Sequence, residues 1–217
     1  MIISLTGFMG CGKSSVGRRL SELLCCPFMD LDEVIVETAG RSIPEIFASE
    51  GEPAFRQMEL ETLKEVLTTS AMSQRAPLAP SHFVGPSPYA GVRKCQFRTS
   101  VSSPKDKTLV LALGGGAVMT PGCAEIVKEQ TYCVYLRASI ETLMEHLEGQ
   151  TINRPLLKSP DCHSDQAKLV EESTLRNRIA DMMAQRSETY EKTAHIIIDT
   201  DGKSIEDIAS EISSRLS

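Results

Sequence analysis

Apolar positions along the chain follow two spacings, one typical of buried strands and one typical of amphipathic helices. Short, nearly continuous apolar runs indicate strands that are covered on both faces of a parallel sheet. Such runs recur at 2–5, 27–30, 108–113, 132–136 and 195–198. Segments with helical spacing separate them. Strands that alternate with helices predict an α/β fold with a parallel sheet flanked by helices.

The helical segments are bounded by recognisable start and stop signals. Ser42 and Glu45 have the spacing of a capping box, with Pro44 in the first turn, which predicts a short helix that ends near Gly51. Gly40 closes the helix before it. The first predicted helix begins after residue 12. The others are predicted over 33–40, from 42 to about 51, from about 53 onward, near 139–148, near 171–192 and over 205–216.

Two segments interrupt the alternation of strands and helices. Residues 69–107 are rich in Ser, Pro and basic side chains and lack a sustained apolar period, so we expect a mobile insertion in a single domain that spans 1–217. The alternative is that its apolar side chains pack on the body of the protein or on another subunit. Residues 149–170 are the second irregular stretch, and we expect them to form a lid.

Composition and charge restrict the class of protein. The 217 residues are 41% hydrophobic and 24% charged, as in an ordinary globular protein, and the net charge of -6 argues against general nucleic-acid binding. The seven cysteines contain no C-x-x-C pair, which favours reduced thiols over a zinc site. The chain has neither a basic leader nor an apolar run of membrane length. We therefore expect a cytoplasmic protein that does not bind membranes.

Residues 7–14, with the sequence GFMGCGKS, match a complete P-loop between a strand and a helix. Its glycines let backbone N–H groups surround phosphate oxygens, Lys13 reaches the β- and γ-phosphates, and the Ser14 hydroxyl can ligate Mg²⁺. A Gly-rich turn without a ligand is the alternative. The residues predicted to bind ATP in this loop are Gly10, Cys11, Gly12, Lys13, Ser14 and Ser15.

Further polar and glycine residues follow the predicted strands. Asp30 and Asp32 lie two apart at the end of the second strand, where both carboxylates can lean toward the mouth of the P-loop. Asp32 can instead be the N-cap of the next helix, and the two roles are compatible. The run 114–116 consists of three glycines, which permit close approach of backbone N–H groups to substrate oxygens or form a simple turn.

Taken together, these motifs resemble the shikimate kinases, in order and in context. The resemblance rests on 7–15, 30–32, 40–43, 55–56, 114–118, 154–157 and 186–190. It implies a P-loop fold of the nucleoside monophosphate kinase type with a five-stranded parallel sheet. It also implies transfer of the ATP γ-phosphate to the 3-hydroxyl of shikimate.

The resemblance implies roles for charged residues beyond the P-loop. Asp30 joins Ser14 in the Mg²⁺ shell, and Asp32 binds the substrate hydroxyls and accepts a proton. Arg154, in the lid, delivers positive charge to the transferring phosphoryl group and contacts ATP. Shikimate kinases often have a basic residue seven positions before this arginine, and that residue packs on the adenine ring. This chain has Leu147 at the corresponding position. Adenine stacking is therefore expected to be apolar or shifted.

The same resemblance implies a substrate-binding subregion over about 31–60. Arg56 and Arg186 are expected to hold the shikimate carboxylate, because a planar guanidinium matches that group, although Arg176 and Arg178 compete with Arg186. Gly115 and Gly116 complete the predicted substrate site.

Three other functions fit parts of this pattern. They are a gluconate-kinase-like enzyme, a regulatory module that binds ligand without turnover, and a nucleic-acid-binding protein that uses the basic segment 69–107. We expect a monomeric kinase whose partners are shikimate and ATP.

Overall fold

A five-stranded parallel sheet forms the centre of the protein, in a computed structural model that describes residues 1–73, 108–147 and 165–216. The spatial order of the strands is β2-β3-β1-β4-β5. The strands are β1 (Ile2–Thr6), β2 (Phe28–Asp30), β3 (Leu109–Ala112), β4 (Tyr132–Arg137) and β5 (Ile196–Asp199). The α/β class and the parallel five-stranded sheet are therefore confirmed.

Helices cover both faces of the sheet. They are α1 (Lys13–Leu23), α2 (Leu31–Ala39), α3 (Ile43–Ser73), α4 (Cys123–Gln130), α5 (Ile140–Leu147), α6 (Asp165–Thr193) and α7 (Ile205–Leu216). Helix α3 is interrupted at Gly51, whose φ of 82° and ψ of 174° are not helical. This break is where the sequence predicts one helix to end and the next to begin. Helix α6 begins six residues or so earlier than the predicted start at 171.

Helix α4 and the 3-10 turn at Ala117–Met119 were not predicted from the sequence. Helix α4 has eight residues, and only Cys123 and Val127 are buried, so its apolar pattern is short. Its N-cap is Gly122, which has a left-handed φ of 84° and offers no side chain to cap the helix. A capping box such as the one at the start of α3 is therefore absent from this segment.

Two apolar clusters hold the layers together, one on each face of the sheet. Ser4 faces the buried hydroxyl of Thr131 on one side of β1, whereas Ile3 and Leu5 pack into the cluster that contains α1 and α7. The parallel register aligns Leu5 of β1 and Asp30 of β2 with Ala112 of β3. As a result, the segments that follow these three strands meet at the same edge of the sheet.

Several sequence predictions fall on parts of the chain that the structure does not describe. Of the predicted insertion at 69–107, residues 74–107 lie outside the described residues. Residues 69–73 belong to helix α3. Residues 149–164 of the predicted lid also lie outside them. Within the described ranges, none of the helices combines the length and the apolar character needed to cross a membrane. The cysteines in those ranges form no disulfide.

Candidate active site

The P-loop wraps around the N-terminus of helix α1. Gly12 is the N-cap of this helix in a left-handed conformation, with φ of 90°, and neither a capping side chain nor an acidic residue occupies the first turn. The N–H groups at this end of the helix therefore form a positive environment suited to phosphate. The Lys13 ammonium donates to the carbonyl oxygens of Gly7 and Phe8 at 3.0 and 2.9 Å, which holds its charge across the loop.

The side of the P-loop that faces helix α5 has a distinct apolar contact. Leu147 is buried, and its Cγ lies 3.0 Å from the position that a Cβ on Gly10 would take. His146, which lines the adjoining pocket, has Nδ1 2.8 Å from the Gly10 carbonyl oxygen. Leu147 thus packs against the loop itself. Cys11 is also buried, with Sγ 4.0 Å from Lys13 Nζ.

Asp30 links the P-loop to the start of helix α2. Its Oδ2 accepts a hydrogen bond of 2.6 Å from the Ser14 hydroxyl, and its Oδ1 accepts one of 3.1 Å from the backbone N–H of Asp32. Asp30 is therefore the N-cap of α2, and the alternative that Asp32 has this role is wrong. The cap must have non-helical backbone angles, and β2 ends at Asp30.

The three glycines after β3 bring the charged side chains of α2 and α3 close to the backbone. A Cβ on Gly114 would lie 2.5 Å from Glu59 Oε1 and 2.7 Å from Asp32 Oδ1. A Cβ on Gly116 would lie 2.5 Å from Arg56 Nη2. Each distance is far shorter than an ordinary contact, so a side chain at either glycine would force these charged groups to move. Gly114 and Gly116 thus permit the close approach between the segment after β3 and the α2–α3 region.

Glu59 is a site residue that the sequence analysis missed. It is fully buried, accepts a hydrogen bond of 2.9 Å from Arg56 Nη1, and receives a weaker one of 3.4 Å from the Thr120 hydroxyl. Burial raises the pKa of Glu59, and the Asp32 charge adds to the rise, while Arg56 opposes it. The only signal in the sequence is its position three residues after Arg56, on the same helical face. A solvent-exposed glutamate would have the same spacing.

Arg56 is held on two sides within helix α3. Glu59 binds Nη1, and Glu52 accepts from Nη2 at 2.9 Å. Burial lowers the pKa of Arg56, but the two carboxylates outweigh this effect and leave it raised. The guanidinium is therefore charged and oriented where it lines the pocket.

Arg186 of helix α6 lines the same pocket as Arg56. It is half-buried, its guanidinium carbon lies 5.9 Å from the centre of the Phe8 ring, and its Nη1 is buried without a hydrogen-bond partner. Arg176 instead pairs with Glu141 at the surface, and Arg178 is exposed. Of the three arginines, Arg186 is thus the one that the structure brings to the pocket. Arg154 lies outside the described residues.

A single continuous pocket connects the P-loop to these groups. The predicted residues that line it are Gly10, Cys11, Gly12, Lys13, Ser14, Ser15, Asp30, Asp32, Arg56, Gly115, Gly116 and Arg186. Within the described ranges there is no group of three or more His, Cys, Asp or Glu side chains that could hold a metal ion by itself. A cation here would need phosphate or water oxygens to complete its shell.

Known proteins that are similar to this chain include several members of one family. The model of the shikimate kinase family matches residues 9–73 and 91–217. A shikimate kinase of Geobacter metallireducens is 36% identical over 214 residues, which cover 99% of this chain and 90% of the relative. One from Chlorobaculum tepidum is 34% identical over 204 residues, covering 94% and 84%. The solved structure of a shikimate kinase from Acinetobacter baumannii in complex with shikimate has a TM-score of 0.73 at 28% identity, covering 99% of this chain and 92% of that one.

Proposed function

Because the chain belongs to the shikimate kinase family, we propose that the pocket between the P-loop and Arg186 is where it binds and phosphorylates its substrate. The reaction is the ATP-dependent phosphorylation of shikimate at the 3-hydroxyl, which gives shikimate 3-phosphate and ADP on the route to aromatic amino acids. The observation that carries the assignment of the site is that one pocket joins a P-loop, a carboxylate and two arginines.

The P-loop binds the ATP phosphates. A P-loop presents backbone N–H groups to phosphate oxygens, and Lys13 neutralises charge on the β- and γ-phosphates. Lys13 already bridges two carbonyl oxygens of the loop, so its ammonium is positioned before ATP arrives. Phosphoryl transfer depends mainly on positioning and on neutralisation of charge. This loop supplies both on the ATP side of the pocket.

Ser14 and Asp30 hold Mg²⁺ with the phosphates. Their hydroxyl and carboxylate oxygens are 2.6 Å apart, and hard oxygen donors of this kind suit an ion that keeps several waters and takes only one or two protein ligands. The donor set therefore fits Mg²⁺, with Asp30 acting directly or through water. When bound, the ion neutralises charge on the β- and γ-phosphate oxygens.

Arg56 and Arg186 bind the shikimate carboxylate from two elements, with N–H groups of Gly115 and Gly116 nearby. Arg56 is already oriented by Glu59. Arg186 lines the same pocket, and its Nη1 is a buried donor that has no hydrogen-bond partner in the protein. A guanidinium pairs with a carboxylate through two parallel hydrogen bonds, which fix orientation as well as affinity. The substrate ring then extends toward Asp32.

Asp32 orients the 3-hydroxyl for attack on the γ-phosphorus. The new oxygen–phosphorus bond forms as the bond from phosphorus to the β,γ-bridging oxygen breaks, so that ADP leaves. The hydroxyl proton passes to the Asp32 carboxylate. Glu59 lies next to Asp32 at Gly114, so two carboxylates line this side of the pocket.

Other parts of the functional assignment rest on the sequence alone. We propose that Arg154, which lies outside the described residues, stabilises the charge that develops during transfer. The enzyme acts as a monomer in the cytoplasm, without nucleic-acid or membrane partners. Size measurement by light scattering, with and without both substrates, tests the monomer.

A coupled assay of ADP release with shikimate, quinate and gluconate at equal concentrations tests the substrate assignment. We expect turnover with shikimate to exceed that with either alternative by at least about 10²-fold, since the pocket must match a carboxylate and a ring hydroxyl together. Comparable rates with gluconate would contradict the assignment. Binding of shikimate without ADP release would favour a regulatory module.

A further inference from the structure

The two sides of the proposed carboxylate site belong to separate elements. Gly115 and Gly116 follow strand β3, whereas Arg186 lies in helix α6. One side chain joins them directly, because the Tyr190 hydroxyl donates a hydrogen bond to the Gly115 carbonyl oxygen across 75 positions of sequence. Tyr190 lies four residues after Arg186, so both side chains are on the same face of α6.

Tyr190 is held rigidly where it makes this contact. Its side chain is only 1% exposed, and its ring stacks on Tyr135 with centroids 5.1 Å apart and an angle of 24° between planes. Burial raises the pKa of Tyr190, although the nearby Arg186 guanidinium acts in the opposite direction. The hydroxyl is therefore protonated at neutral pH and serves as a permanent donor.

The glycine loop is also confined on its opposite side. A Cβ on Gly115 would lie 3.1 Å from the backbone nitrogen of Met9, so the loop already rests against the P-loop. With the P-loop on one side and Tyr190 on the other, Gly115 has little freedom to shift. A displacement of either Gly115 or α6 would change the gap in which a carboxylate must fit.

We propose that Tyr190 is a positioning residue that sets the spacing between Arg186 and the Gly115–Gly116 backbone, and thereby the fit of the shikimate carboxylate. This inference rests on the proposed role of Arg186. Tyr190 is buried and does not line the described pocket, so it is not placed to contact the phosphates or the reacting hydroxyl. Its effect is therefore on shikimate affinity, with little effect on ATP affinity.

The test is Tyr190→Phe, which removes one oxygen atom and keeps the stacked ring. We expect the KM for shikimate to rise about five- to tenfold, in the range of a single lost hydrogen bond, while the KM for ATP and kcat stay within about twofold of the wild type. Tyr135→Phe is the matched control, because it removes a hydroxyl from the same aromatic stack without touching the Tyr190–Gly115 bond. It should leave both KM values unchanged.

A double-mutant cycle with Arg186→Ala separates positioning from a general loss of stability. If Tyr190 acts through Arg186, Tyr190→Phe should add little to the rise in shikimate KM that Arg186→Ala already causes. Shifts in Tm induced by saturating shikimate or ATP provide a second readout, which remains measurable if Tyr190→Phe lowers stability. The shikimate-induced shift should shrink and the ATP-induced shift should persist.

An unchanged shikimate KM in Tyr190→Phe would overturn the inference, as would equal effects on both substrates or a full additive effect in the cycle. An Arg186→Ala variant with normal shikimate KM would instead contradict the proposed carboxylate site. The two experiments thus distinguish an error in the proposed carboxylate site from an error in the proposed role of Tyr190.

Discussion

Gly116→Ala tests whether the close approach of Arg56 to the glycine loop matters for substrate binding. The backbone of Gly116 has φ of −118° and ψ of 1°, so alanine meets no left-handed strain there. The new Cβ would lie 2.5 and 2.6 Å from the two terminal nitrogens of Arg56 and 2.8 Å from its Cζ. The perturbation is therefore a collision with one guanidinium, at little expected cost to folding.

The size of the effect follows from how far the guanidinium must move. Restoring an ordinary contact distance requires a retreat of about 1 Å, and a displacement of this size at a binding group can reduce catalysis by about 10²-fold. Arg56 cannot swing away freely because Glu59 and Glu52 hold its two terminal nitrogens at 2.9 Å each. We expect kcat/KM for shikimate to fall about 30- to 100-fold, which corresponds to about 2–3 kcal/mol.

Initial rates of ADP release, with each substrate varied at saturating concentration of the other, measure this effect. Gly122→Ala is an informative control, since Gly122 has φ of 84° with open space around its Cα. It should lower Tm through backbone strain and leave the KM for shikimate unchanged. Gly116→Ala should show the reverse pattern.

The collision between the Cβ of residue 116 and the guanidinium should disappear when Arg56 is shortened. In an Arg56→Ala background, Gly116→Ala should cause almost no further loss. A full additive loss in the double variant, or a Gly116→Ala enzyme with normal shikimate kinetics, would refute the proposed link between this glycine and Arg56.

Three further predictions concern the phosphate site, the choice of arginine and the buried glutamate. Lys13→Met should lower kcat by about 10²-fold or more because an electrostatic stabiliser is lost, and near-normal turnover in the coupled assay would contradict the P-loop assignment. Arg186→Ala should raise the KM for shikimate by at least about tenfold with the KM for ATP unchanged, whereas Arg176→Ala, which removes only a surface pair, should change neither. Burial raises the pKa of Glu59 above its ordinary 4.5, so the folded state binds more protons than the unfolded state between these two values. The unfolding free energy of the wild type relative to Glu59→Gln should therefore decrease as pH rises from about 4.5 and level off above the raised pKa. Denaturant titrations at several pH values measure this difference in unfolding free energy. An increase of the difference with pH would mean that the Arg56 charge outweighs burial.

Local patterns in the sequence were sufficient for the class of fold and for the prediction of a phosphate site at the P-loop. Residues 7–14 are contiguous, and each makes its contribution through its own backbone or through a side chain adjacent to it. The apolar runs predicted the five strands of the described sheet, because strands of a parallel sheet with helices on both faces are largely apolar. Asp30 and Asp32 were recognised as candidates because they directly follow such a strand.

Only the tertiary structure decided how the distant residues combine. The choice of Asp30 over Asp32 as the N-cap depends on where β2 ends, and the choice of Arg186 over Arg176 depends on which face of α6 meets the pocket. Glu59 and Tyr190 became part of the site only through contacts with Gly114 and Gly115, which lie 55 and 75 positions away. A glutamate or tyrosine on a helix has the same local pattern whether it faces solvent or a glycine loop. What separates the two cases is burial and hydrogen bonding between elements, and both arise only when the sheet order and register bring those elements together.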